Sequence, residues 1–289
     1  MSVAETAFLA RLVAGRVEAE DAPALPFWSF SKTILAALCH EAAARGEVAL
    51  DAPCPGRAWS LRDLLGHRAG LGDYFSVPEY RAAVLRGDPP WSTRRYLEEV
   101  SPDAPLFAPR EGWAYSNIGY LLARQALESA TGQGFAELLR TRLTAFPSLR
   151  LAETPEDFAA LPFDAKGYHP GWVAHGCVMG TPADAVRLLA HILDRFPRMD
   201  APHDLGGPVP DRIWARAGYG QGLMSGIAEG ASRAVGHSGG GPFSACAIYA
   251  FPDLPGAPVT AAFVPGGNEA PAGRIARDLA LLRDGRATA

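Results

Sequence analysis

Ser29-Phe30-Ser31-Lys32 sets a hydroxyl and an amine three residues apart at the head of a stretch with helical periodicity. Residues i and i+3 share a helix face, so the amine can return to the Ser29 oxygen. A helix N-terminus also offers free backbone N–H groups to a developing negative charge. A serine activated by a neutral lysine is one route to covalent acyl transfer. Lys and Arg together number 27, yet lysine occurs only at positions 32 and 166. The chain uses arginine almost wherever a positive charge suffices, so a retained lysine points to proton chemistry that a guanidinium cannot perform. Taken alone, the spacing is short enough to arise by chance.

A second motif competes. Gly236-His237-Ser238-Gly239-Gly240 matches G-x-S-x-G, the nucleophile elbow. That turn needs a helix directly after its serine and a histidine later in the chain. Here Gly240-Gly241-Pro242 and a strand-like run follow, and His237 is the last of seven histidines. The elbow reading of Ser238 is therefore not expected.

The elements that must position these groups are partly visible. A helical pattern runs from about Ser29 to Arg45, with Ile34, Leu35, Leu38 and Ala42 on one face and Gly46 as its stop. Ser60 to Asp63 resembles a capping box opening a short helix that ends at Gly66, and Thr181-Pro182-Ala183-Asp184 opens another. Residues 72–112 are turn-rich. Ile118, Leu121, Leu122 and Gln125 mark a helix closing at Gly132, and Ile275, Leu279 and Leu282 mark a terminal one. Residues 244–251 and 258–264 read as strands around a Pro/Gly turn. Residues 5–20 suit either a helix or a hairpin turning at Ala14-Gly15. A helical middle with strands near the ends implies an α+β fold whose sheet joins the two ends of the chain.

Composition excludes several classes. With 48% hydrophobic and 20% charged residues, the 289-residue chain is ordinary globular protein rather than a disordered one. The net charge is −4 and no basic cluster exceeds two adjacent residues, so no nucleic-acid partner is expected. No apolar run reaches the roughly 18–20 residues a membrane span needs, so no membrane partner is expected either. The first residues carry Glu5 where a signal peptide would be basic, and Arg11 interrupts their apolar stretch. The default compartment is then the cytoplasm. Cys39, Cys54, Cys177 and Cys246 lack zinc spacing and are expected as small buried residues.

The stretch FWSFSKTILAAL around Ser29 resembles the nucleophile helix of the serine β-lactamase and penicillin-binding-protein superfamily. Leu64 to Leu71 (LLGHRAGL) is similar to the LLxHxSGL stretch of its class C-like branch, and Trp113 to Tyr120 (WAYSNIGY) to its YSNxGY motif. Gly180 to Asp184 resembles the segment opening a later helix of that branch, and Tyr219 to Gly222 its YGxG turn. His237-Ser238-Gly239-Gly240 stands where the third motif, KTG or HxG, belongs. The matches keep the family's order from residue 27 to about 241, and the resemblance covers essentially the whole chain.

The resemblance implies a single β-lactamase/transpeptidase-like domain over residues 1–289. An antiparallel sheet would come from about 1–27 and 205–289, flanked by helices, beside a mostly helical part of about 28–204, with the active site between them. Residues 5–20 then become a hairpin. Ser29 would attack an ester or amide carbonyl and form an acyl-enzyme, and Lys32 would take or relay its proton. Tyr115 would protonate the leaving group and help activate water. Asn117 would hold Lys32 or the substrate carbonyl. The backbone N–H groups of Ser29 and Gly240 would form an oxyanion hole, with His237 and Gly239 beside it. This chemistry needs no metal and no cofactor; its partner is a small-molecule ester or amide. His67 reads as a structural residue at a helix C-terminus, and Tyr168, His169 and Trp172 as either cleft lining or a structural loop.

His237 departs from the lysine of the third motif. A lysine there supplies a fixed charge for a substrate carboxylate, whereas an imidazole with a reference pKa of ~6.5 is largely neutral at pH 7. That shifts weight from β-lactamase or D-Ala-D-Ala carboxypeptidase activity towards esterases, D-aminopeptidases and amide hydrolases. The alternatives are those two activities or a ligand-binding module of the same fold without turnover.

Overall fold

The computed structural model describes residues 7–282. In chain order, β1 (Phe8–Val13), β2 (Arg16–Ala19) and β3 (Leu25–Pro26) lead through a single 3₁₀ turn, Trp28–Phe30, into α1 (Ser31–Ala44). Then come α2 (Leu61–Leu65), α3 (Pro78–Arg86), α4 (Thr93–Val100), α5 (Asn117–Thr131), α6 (Phe135–Arg142), β4 (Arg150–Ala152), α7 (Glu156–Ala159), β5 (Cys177–Gly180) and α8 (Pro182–Arg195). The chain closes with β6 (His203–Gly206), β7 (Trp214–Tyr219), β8 (Met224–Ala228), β9 (Arg233–Gly240), β10 (Ser244–Ala250), β11 (Val259–Pro265) and α9 (Glu269–Leu281).

An eight-stranded sheet in the order β2-β1-β11-β10-β9-β8-β7-β6 joins the two ends of the chain. Its described pairings are antiparallel, which is the expected α+β, β-lactamase/transpeptidase-like architecture. Alternate residues of a strand face opposite sides, and β10 uses both. Cys246 and Ile248 join the core shared with Leu188 and Leu189 of α8, while Ala245, Ala247 and Tyr249 meet Ala272, Ala276 and Ala280 of α9. Small side chains let α9 lie close, and the Thr260 hydroxyl donates to the Ala276 carbonyl at 2.8 Å. The β1–β2 hairpin turns at Ala14 and Gly15, with φ of +47° and +79°, the backbone a two-residue I′ turn demands. Residues 5 and 6 of that expected segment, and 283–289 of the expected sheet region, lie outside the described residues. Both capping boxes form, Ser60 with Asp63 and Thr181 with Asp184.

Three expectations need correction, and one helix was unforeseen. The mostly helical middle contributes to a second sheet, β3-β5-β4, whose strands of two to four residues are too short to carry a period-two signal. The turn-rich stretch 72–112 holds α3 and α4, helices of nine and eight residues whose only buried side chains are Tyr80, Ala83 and Tyr96. Helix α6 was not anticipated. The expected terminal helix is α9, which begins at Glu269, capped by the Asn268 side chain on the Ala270 N–H at 3.0 Å. Cys39, Cys177 and Cys246 are buried as expected, whereas Cys54 is only half-buried. Among the described residues no helix is long and apolar enough to cross a membrane.

Candidate active site

Ser29 lies not in α1 itself but in the 3₁₀ turn ahead of it, where it stays partly exposed. Trp28 takes a left-handed φ of +45°, a conformation that costs a bulky residue energy unless its surroundings impose it. They do so through three contacts. The Trp28 indole N–H donates to Ser244 Oγ at 3.0 Å, the Phe27 N–H to the Val178 carbonyl at 2.8 Å, and the Val178 N–H to Ser31 Oγ at 2.9 Å. The turn is thus clamped between β10 and β5.

Lys32, one turn further, is fully buried. Its Nζ lies 3.2 Å from Ser29 Oγ, 2.7 Å from Asn117 Oδ1 and 3.2 Å from His175 Nε2. It also sits 5.0 Å from the ring centre of Tyr115 and 5.7 Å from that of Tyr120. The Asn117 amide donates to Asp73 Oδ2 at 2.8 Å, so its oxygen is the atom turned towards Lys32. Burial lowers the Lys32 amine to about 7, with the charges of Asp73 and Glu269 opposing that shift. Burial likewise raises the Asp73 carboxyl, against the pull of Lys32. The amine can therefore be neutral near pH 7 while hydrogen-bonded to a hydroxyl.

Tyr115 comes from the loop ahead of α5 and is half-buried. Burial pushes its phenol well above the ordinary range, against a hydrogen bond with Ser29. It is thus a neutral hydroxyl near pH 7, not a phenolate. Behind it His67 packs at 4.3 Å between ring centres, and its Nδ1 accepts from the Ser116 N–H at 3.1 Å. Burial keeps the His67 imidazole well below its usual pKa. It directly follows the C-cap of α2, structural as expected, and is a neutral wedge that sets the loop carrying Tyr115.

His237 is buried with its ring 6.3 Å from that of Tyr115, and its Nε2 lies 3.1 Å from the Tyr219 hydroxyl. Burial and the Lys32 charge lower it to about 3, so it is neutral. Pairing of β9 with β8 ends at Gly236 opposite Met224, leaving residues 237–240 paired with β10 alone. The Gly241 N–H donates to the Ser244 carbonyl at 3.0 Å. Antiparallel pairing alternates, so the Gly240 N–H points away from β10, on the side that β8 leaves unpaired beyond Gly236. A Cβ on Gly239 would fall 2.5 Å from the Ser29 nitrogen; only glycine lets the strand approach the nucleophile turn this closely. The YGxG turn has a similar reason: Gly222 has φ of +74° and its Cβ would meet the Lys32 carbonyl at 2.9 Å.

The structure thus brings Ser29, Lys32, Tyr115, Asn117, His237, Gly239 and Gly240 together. Ser238 lies on the other face of β9, its hydroxyl donating to Glu269 of α9, and a hairpin rather than a helix follows it. Trp172 is core, its carbonyl accepting from Tyr80 and Tyr96, and His169 caps a short turn. Tyr168 packs on Phe158 and Trp28. Lys166 is exposed beside Asp164. Among the described residues no group of three or more His, Cys, Asp or Glu could hold a metal ion.

A family model described as Beta-lactamase matches residues 23–283. The chain belongs to the Beta-lactamase family. Penicillin-binding protein 4* of Bacillus subtilis (strain 168) is 30% identical over 94 residues, 31% of this chain and 20% of its own. A D-aminopeptidase of Gluconobacter oxydans (strain 621H) is 28% identical over 120 residues, 41% of this chain and 22% of its own. The match thus spans about a fifth of each of these curated relatives. A D-stereospecific amidohydrolase from Streptomyces sp. superposes with a TM-score of 0.77 at 19% identity, over 91% of both chains. The D-amino acid amidase of Ochrobactrum anthropi SV3, complexed with L-phenylalanine, gives 0.74 at 22%, over 89% of this chain and 85% of that one. These two share the fold.

Within this family member, sequence reasoning missed three residues around the site. Asp73, which orients Asn117, sits in the turn-rich stretch with no pattern around it. Tyr219 was visible only as part of a turn. His175 stands 143 residues from Lys32, and no spacing rule links the two.

Proposed function

We propose that this protein is a serine hydrolase that cleaves a small ester or amide through an acyl-enzyme on Ser29. The observation that carries the reading is the buried Lys32 amine, held near neutrality within hydrogen-bond reach of the Ser29 hydroxyl. As Ser29 Oγ attacks the carbonyl carbon, its proton passes to Lys32 Nζ. The resulting oxyanion lies towards the N–H groups of Ser29 and Gly240. The carbon–nitrogen or carbon–oxygen bond then breaks. The leaving group takes a proton through the Tyr115 hydroxyl, which Lys32 replenishes, so no phenolate accumulates in a site that disfavours one. Water repeats the sequence on the acyl-enzyme and frees Ser29. Asn117 holds the lysine.

The charges around the site favour substrates bearing an amine, or no charge, over those bearing a carboxylate. Asp73 and Glu269 act on the Lys32 amine, His237 is neutral, and Arg212 is engaged by Glu269 at 2.7 Å. The D-aminopeptidase and D-amino acid amidase relatives support amides of D-amino acids as the first class to try. A panel of p-nitrophenyl esters, D- and L-amino-acid amides and a chromogenic cephalosporin tests this. Turnover of an ester or D-amino-acid amide with kcat/KM more than tenfold above the cephalosporin is expected. Turnover of the cephalosporin alone would overturn the substrate reading.

A further inference from the structure

We propose that His175 is a positioning residue whose Nε2 accepts a hydrogen bond from the Lys32 amine and thereby aims the remaining lone pair at the Ser29 hydroxyl. The proposal rests on the Ser29–Lys32 reading above and adds a residue that no motif supplies. His175 is 2% exposed, just ahead of β5, with Nε2 3.2 Å from Lys32 Nζ and with its buried Nδ1 lacking a partner. Its ring stands edge-on to Tyr120 at 6.4 Å.

The assignment follows from counting donors. A neutral amine has two N–H groups and one lone pair; an ammonium has three N–H groups and none. The Asn117 oxygen takes one N–H at 2.7 Å. If His175 Nε2 takes the second, the lone pair is left for the hydroxyl of Ser29, as a base requires. If Nε2 instead carried the proton, it would occupy the lone pair and disarm the amine. Once Lys32 holds the Ser29 proton it is donor-only, so Nε2 must accept then too. One tautomer, with the proton on Nδ1, therefore serves both states without reorientation.

A relay of the proton onto His175 is disfavoured. Burial, and then the charges of Lys32 and Arg124, hold its imidazole well below the ordinary value. The titratable and charged groups around the pair are Asp73, Glu269, Cys177, Tyr115 and Tyr120 on the lysine, and Arg124, His237, His67 and Tyr120 on the histidine.

The two-lysine composition makes a direct test available. Protein labelled with ¹³C at lysine Cε gives one signal from Lys32 and one from Lys166, whose 81% exposed side chain serves as internal reference. Removing an acceptor takes away a hydrogen bond worth more to the ammonium than to the amine. In His175→Leu the Lys32 midpoint should thus fall by about one pH unit, with kcat/KM reduced about 10–100-fold by misplacement of the base. His175→Gln, which can offer an amide oxygen, should restore most of both. His175→Met replaces the leucine variant if the latter does not fold. A midpoint that is unmoved or rises in a folded leucine or methionine variant would overturn the role of His175. A wild-type Lys32 midpoint near the free value would instead overturn the Ser–Lys reading on which it rests.

Discussion

Arginine at position 32 would keep the positive charge and remove the proton acceptor. The size of the effect follows from the burial of Lys32. An amine held at about 7 is about half neutral at pH 7, whereas one at the free value of ~10.4 would be neutral in roughly 4 molecules per 10,000. Burial therefore raises the competent fraction about 10³-fold, and a guanidinium forgoes all of it. Since lost general-base help typically costs about 10²–10⁴-fold, kcat/KM of Lys32→Arg should fall below a hundredth of wild type. Lys166→Arg, an exposed exchange of the same charge, should stay within twofold. The sign of the pH dependence follows as well. The neutral amine is the active form, so activity is present above the folded-state value and is lost as pH falls through it. Wild-type kcat/KM should rise about tenfold between pH 6 and pH 8, from roughly a tenth to nine tenths neutral. Initial rates on the best ester of the panel, with circular dichroism for folding, measure both. A folded Lys32→Arg protein keeping more than a tenth of the wild-type rate, or a wild-type profile flat from pH 6 to 8, would refute the reasoning.

Tyr115→Phe removes one hydroxyl and should lower kcat by about 10²–10⁴-fold with an unchanged circular dichroism spectrum; activity within threefold of wild type would strip Tyr115 of its role. Gly239→Ala drives a methyl group to 2.5 Å from the Ser29 nitrogen and 2.7 Å from Trp28 Cβ. Thermal denaturation should register a loss of about 1–3 kcal/mol from overpacking, and steady-state kinetics a fall in kcat of more than tenfold as the nucleophile turn is displaced. Ser238→Ala should leave kcat within threefold, because its hydroxyl addresses Glu269 on the far face of β9; a large loss would revive the elbow motif.

The parts of the site that could be read from the sequence are those in which chemistry restricts residue type over a short span. Ser29 and Lys32 sit one turn apart, Tyr115 and Asn117 two residues apart, and His237, Gly239 and Gly240 within one strand end. Asp73 and His175 could not be read that way. Each reaches Lys32 or its partner Asn117 through tertiary packing, and a lone Asp in a turn or a lone His before a strand carries no spacing signal. The fold divides along the same line. The amphipathic α8 declares itself through periodicity and the strands around 244–265 as apolar runs either side of a Pro/Gly turn, whereas β3 to β5 are too short to show either. The placement of Ser29 in a 3₁₀ turn rather than in α1 depends on the left-handed Trp28, which Ser244 and Gly241 permit from over two hundred residues away.

The central claim is that Ser29, armed by Lys32, forms the acyl-enzyme. Incubation with a fluorophosphonate or a slow-turnover acylating substrate, followed by digestion and mass spectrometry, tests it most directly. The adduct should lie on the peptide containing Ser29, should be absent from Ser29→Ala, and should form at less than a hundredth of the wild-type rate in Lys32→Arg. An adduct on Ser238 with Ser29 unmodified would contradict the account.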